Sequence, residues 1–131
     1  MYSSYDVGKQ LDRQRGYLAL DNFDYESLFS TTFGMNKADR IATFDSGSTH
    51  AMTLTAVDLD KDGNPLKWKV ENSWGASNGV GGCFIMTNDW FNEYMFRLVV
   101  NNEYVPAELL KEYEQKPLMV MPEDPLFGED M

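Results

Sequence analysis

The stretch from Thr49 to Gly75 constrains this chain more than any other. It holds two runs of alternating apolar and polar residues, Ala51 to Val57 and Lys67 to Asn72, separated by a cluster of Asp, Gly, Asn and Pro. Period-two alternation marks a strand with one buried face, and the cluster supplies turn chemistry, so the stretch predicts an antiparallel hairpin. In the first run Met52, Leu54 and Ala56 share a face, and the same rule places His50 on it. In the second, Trp68, Val70 and Asn72 face one way while Lys67, Lys69 and Glu71 face the other. Folding symmetrically about a turn near Lys61 and Asp62 brings His50 opposite Asn72 at the open end of the hairpin. Directly opposed residues of such a pair have Cα atoms about 4.5–5.5 Å apart. Loop length and bulges move a register by a residue or two.

The flanks are less patterned. Gly8 and Gly16 break a mixed polar start in which Gln10 to Arg15 is at most a short helix, and Leu18 to Leu20 is a brief apolar run. Asp24 to Phe29 places Tyr25, Leu28 and Phe29 at helical spacing, and Asn36 followed by Asp39 reads as an N-cap for a helix to Ile41. Beyond the glycines at 75, 79, 81 and 82, strands are expected at Cys83 to Thr87 and Met95 to Asn101, joined by a turn carrying Asp89, Trp90 and Phe91. Pro106 suits the start of a helix through Tyr113, and Pro117, Pro122 and Pro125 favour an extended arm. The resulting division is a single domain over 1–131. Short helices and connectors fill 1–48, an antiparallel sheet 49–101, a helix 102–115 and the arm 116–131.

A length of 131 residues with 43% hydrophobic content suits one domain with a real core, and 14% aromatic content argues against disorder despite a net charge of −10. That charge repels phosphate backbones and anionic bilayers, so neither nucleic acid nor membrane is an expected partner. One cysteine, Cys83, excludes an internal disulfide, and no apolar run approaches the length of a membrane span or signal core. A cytoplasmic location is the expectation.

His50 is the chain's one histidine. A histidine at a strand end is often just a hydrogen-bonded residue. Facing a carboxamide, however, an imidazole has what a nucleophile's partner needs: one ring nitrogen can take a thiol proton while the amide oxygen accepts from the other N–H and fixes the ring's orientation and tautomer. Trp74 can cover that bond or serve simply as a core aromatic. Asp58, Asp60, Asp62 and Gly63 match the opening of an EF-hand loop, but its twelfth position is Lys69 in place of Glu, and turn chemistry explains them better. The glycines at 79–82 lack a following Lys and Ser/Thr and read as turn residues.

Thr49-His50-Ala51-Met52, Asn72-Ser73-Trp74-Gly75, the glycine-rich turn after it and Gly82-Cys83-Phe84-Ile85 resemble the C-terminal half of papain-like cysteine peptidases. Asp6 to Lys9, Asp24 to Phe29, Lys67 to Asn72 and Asp89-Trp90-Phe91 are similar to the bleomycin hydrolase and aminopeptidase C branch in particular. The resemblance covers nearly the whole chain. It implies an α+β fold, the antiparallel β-rich lobe of that family with short flanking helices. It also implies His50 as catalytic base, Asn72 as its orienter and Trp74 as support, with no metal or organic cofactor.

In that family the nucleophilic Cys opens a helix of the N-terminal lobe behind a Gln, both upstream of the His, whereas no cysteine precedes His50 here. The resemblance makes Cys83 structural, a small core residue. The expected function is therefore the C-terminal part of an aminopeptidase acting on peptides, inactive alone and partnered by a Cys-bearing N-terminal lobe. Three alternatives stay open: a split enzyme completed by a separate chain, a non-catalytic peptide-binding or assembly module, and a differently ordered triad built on Cys83. The branch forms hexamers, and its C-terminal carboxylate holds the substrate amine, which would fall on Met131. On composition the same tail reads equally as a disordered acidic end.

Overall fold

Residues 1–125, the part described by the computed structural model, form seven strands and four short α-helices. In chain order these are β1 (Tyr2–Tyr5), β2 (Leu11–Asp12), β3 (Tyr17–Leu18), α1 (Tyr25–Phe29), α2 (Lys37–Ala42), β4 (His50–Leu59) and β5 (Pro65–Glu71). There follow β6 (Cys83–Thr87), α3 (Asn88–Tyr94), β7 (Met95–Val99), a 3-10 turn at Asn102–Tyr104 and α4 (Ala107–Tyr113). The strands make one sheet in the order β2-β3-β6-β5-β4-β1-β7. Every neighbouring pair is antiparallel except β3 with β6. Among the described residues no helix is long and apolar enough to cross a membrane.

The β4–β5 hairpin is the centre of the sheet, with a register different from symmetric folding about Lys61 and Asp62. Thr53 pairs with Glu71 and Leu54 with Val70, which carries Asn72 towards Met52 and makes His50 its diagonal neighbour. An extra residue on β4 at Thr55 shifts the register, and a second shift where Leu59 meets Pro65 restores it. Beyond the first bulge the faces exchange: Met52 and Leu54 are buried, but Ala56 is exposed and Val57 takes the place opposite Trp68. At the tip, Asp60 Oδ1 accepts from the amides of Asp62 and Asn64, each at 2.8 Å, an Asx-type turn.

The largest departure from the sequence reading is in residues 1–48, which contribute three strands as well as short helices. β1 lies between β4 and β7, and its Ser3, Ser4 and Tyr5 are buried. Ser3 Oγ is satisfied there by Tyr5 Oη at 2.6 Å and Met52 O at 3.2 Å.

The core sits where the sheet meets α3, with Tyr5, Leu18, Val70, Phe84, Met86 and Trp90 all essentially inaccessible. The segment read as a turn around Asp89 is helical, because Thr87 caps it by accepting from Trp90 N. Trp90 then reaches back across 81 residues to donate to Lys9 O at 2.8 Å. Asp24 and Asn36 cap α1 and α2 through the amides of Ser27 and Asp39. Leu28 and Phe29 nevertheless remain 71% and 63% exposed, so α1 buries no apolar face among the described residues. Residues 126–131, with the terminal carboxylate of Met131, lie outside the described residues.

Candidate active site

His50 opens β4 and pairs with Tyr5 of β1, while Asn72 follows the last residue of β5. Their side chains meet, with His50 Nε2 2.8 Å from Asn72 Oδ1. A diagonal neighbour is within reach of side chains this long even though the Cα atoms are not directly opposed. The Ser73 backbone amide donates to the same Asn72 oxygen at 2.7 Å. Since a backbone N–H only donates, that atom is the carbonyl oxygen, and the imidazole contact must run from Nε2–H to it. Nδ1 is left as the acceptor nitrogen of the neutral ring. Among the described residues it has no hydrogen-bond partner. Asn72 is buried and its backbone amide donates to Gly82 O at 2.9 Å, so the orienting carboxamide is anchored at both ends. Its Nδ2 is buried with no partner among the described residues.

Trp74 lies over the imidazole, ring centroids 4.9 Å apart and planes 29° from parallel. Its indole meets Phe84 edge-on at 5.8 Å, which ties it to the core. On the strand side, the approach to His50 is fixed by groups to which sequence reasoning assigned no role. Thr49 N donates to Tyr5 O at 3.0 Å, and Val7 N donates to Thr49 Oγ1 at 3.1 Å. One step earlier, Ser46 Oγ donates to the buried Asp6 carboxylate at 2.7 Å. Burial pushes the Asp6 carboxyl above its ordinary range, against the lowering effect of the Ser46 hydrogen bond. The run Ser46-Gly47-Ser48-Thr49 carried the available signal, because Ser and Thr hydroxyls bond nearby backbone and carboxylate groups.

Cys83 does not join this constellation. It pairs with Glu71 at the start of β6, while the next residue, Phe84, pairs with Val70 and is buried. Alternation therefore points the Cys83 side chain to the sheet face opposite Val70, Phe84, Met52 and Leu54, the face His50 shares by its own strand's alternation. Among the described residues no hydrogen bond links it to His50. Cys83 is half-buried, outside the main core. Its backbone carbonyl, in contrast, is engaged by Val80 N at 3.0 Å.

Three comparisons bear on this geometry. A model of the peptidase C1-like family matches residues 1–127. Aminopeptidase C of Lactococcus lactis is 43% identical over 121 residues, and human bleomycin hydrolase is 42% identical over 124. Each alignment covers 92% of this chain but only 28% and 27% of those proteins, respectively. In three dimensions, PepW of Lactobacillus rhamnosis superposes with a TM-score of 0.87 at 43% identity, over 95% of this chain and 28% of that one. The chain thus spans a little over a quarter of the length of the relatives it matches.

Proposed function

Since this chain belongs to the peptidase C1-like family, we propose that it supplies the base and the orienting amide of a cysteine-type aminopeptidase acting on peptides. The nucleophile would come from an adjoining Cys-bearing portion, in the same polypeptide or a separate chain. The observation that carries this reading is the 2.8 Å contact between His50 Nε2 and Asn72 Oδ1 beneath Trp74. It presents Nδ1 as a free base and holds the ring in one tautomer.

In this scheme His50 Nδ1 takes the thiol proton, and the thiolate adds to the substrate carbonyl carbon. The resulting imidazolium donates that proton to the leaving amine as the C–N bond breaks, leaving a thioester. Water, deprotonated by the same nitrogen, then releases the acid and restores the thiol. Asn72 accepts from Nε2–H throughout, and the bond strengthens when the ring is charged. Apolar side chains such as Leu28, Phe29 and Phe33, all more than 60% exposed, suit a chain that is completed by further protein.

The test combines this chain with the Cys-bearing N-terminal portion of an aminopeptidase C and follows an aminoacyl fluorogenic substrate. Turnover is expected only from the combination, lost in His50→Ala and retained in Cys83→Ser. Turnover by this chain alone that vanishes in Cys83→Ser refutes the assignment. A stable but inactive complex would make the chain a binding or assembly module.

A further inference from the structure

We infer that Arg13 is a positioning residue for His50, acting through Trp74; the inference rests on the reading of His50 as the base. The Arg13 guanidinium carbon lies 4.5 Å from the centroid of the Trp74 ring that also stacks on the imidazole. Its Nε donates to Asn78 Oδ1 at 2.8 Å, and Asn78 Nδ2 in turn donates to Trp74 O at 2.6 Å. Arg13 therefore grips Trp74 twice, once at the indole and once, through Asn78, at the backbone.

This grip acts where the fold needs it. Trp74 stands beyond the end of β5, in a turn followed by Gly75 with a left-handed backbone, so no strand pairing fixes its ring. Arg13 itself is on the turn between β2 and β3, and that turn also meets the Trp74 turn backbone to backbone. A Cβ on Gly16 would lie 2.7 Å from Gly79 Cα, and Ile85 N donates to Gly16 O at 2.8 Å. Two chain segments that close leave little play for the side chain bridging them.

The charge is also otherwise uncommitted. The sequence has 21 acidic residues, yet among the described residues the ion pairs engage Lys9, Arg15 and Arg40, and Arg13 has none. Its cation faces the indole, and Trp offers the most favourable ring surface to a guanidinium. An indole that swings away would open the His50–Asn72 bond to water and free the imidazole to rotate.

Because His50 is the one histidine, histidine labelled with carbon-13 and nitrogen-15 gives a single imidazole spectrum. The displacement of its ring protons by the indole is defined as the difference between the intact chain and Trp74→Ala. Arg13→Ala is expected to lose half or more of that displacement, and Arg13→Lys to keep most of it. Arg13→Gln, which retains a donor for Asn78 without the charge, is expected to lose as much as alanine does. An unchanged displacement in Arg13→Ala, or full retention in Arg13→Gln, overturns the inference. So does collapse of the Leu54, Val70 and Phe84 amide pattern in Arg13→Ala, which would make Arg13 a folding residue. The signal reports ring packing and needs no turnover. A failure of the catalytic reading would thus show separately, as a retained displacement in a combined enzyme that does not turn over.

Discussion

Replacing Gly79 with alanine perturbs the point where the turn carrying Trp74 meets the β2–β3 turn. The new Cβ would lie 2.4 Å from Cys83 O and 3.2 Å from Gly16 Cα. Both neighbours are backbone, and the Cys83 carbonyl is held by Val80 N, so neither yields as a side chain would. Gly79 also has φ +61°, in the left-handed region. That conformation costs an L-residue about 1–2 kcal/mol, and overpacking typically adds about 1–3. Together these give a loss of roughly 2–5 kcal/mol, a large part of the stability of a domain this size. Gly81 provides the control, having the same φ of +61° with nothing within 4 Å of the place a Cβ would take. Gly81→Ala should therefore lose only the backbone cost of about 1–2 kcal/mol. In urea, at a slope of about 2 kcal/mol per molar, the Gly79→Ala midpoint should fall by about 1–2.5 M and the Gly81→Ala midpoint by clearly less. Equal midpoints for the two variants would refute the claim that the segments touch through their backbones.

Asn72→Ala in the combined enzyme should lower kcat/KM about 10–100-fold, the loss of one hydrogen bond to a charged ring, as measured by steady-state kinetics. An unchanged value would remove Asn72 from the mechanism. Asp6 gives a pH signature. Its folded carboxyl binds a proton more readily than the unfolded one, mainly because it is buried, so it erodes stability as pH rises from the ordinary value of 3.8 through the raised folded one. Asp6→Asn should remove that erosion, so unfolding curves of the two proteins should shift in the variant's favour from acid to neutral pH, and a constant difference would contradict it. Phe44 closes α2 with φ +59°, a position that favours glycine, and its side chain is 54% exposed. Phe44→Gly should raise stability by about 0.5–1 kcal/mol, the relieved strain less the extra chain entropy, readable as a higher thermal midpoint.

The hairpin was legible because one of its faces is solvated and the other buried, which writes period two into Lys67 to Asn72. Its register was not, because the bulge at Thr55 leaves no mark in composition: threonine suits a regular strand equally well, and here its Oγ1 donates to Lys69 O at 3.1 Å. β1 escaped notice for a related reason. Tyr2-Ser3-Ser4-Tyr5 shows no alternation, since both its serines are buried. The caps of α1 and α2 were readable from Asp24 and Asn36, while the cap of α3 lay at Thr87, inside a residue run that also reads as strand. Of the candidate site, His50, Asn72 and Trp74 were all named from sequence, and the structure brings them together. Arg13 was not, because a cation 61 residues from the indole it faces has no local pattern to betray it.

The paired irregularities in the β4–β5 hairpin separate its two ends. Thr53–Glu71 and Leu54–Val70 set the alignment next to His50, and the shifts at Thr55 and at Leu59–Pro65 lie between that alignment and the tip. A change of length at Lys61–Gly63 would be absorbed before it reached the imidazole. The tip is thus the natural place to graft a fluorophore, an epitope or a tether, a handle on the chain that leaves its chemistry alone.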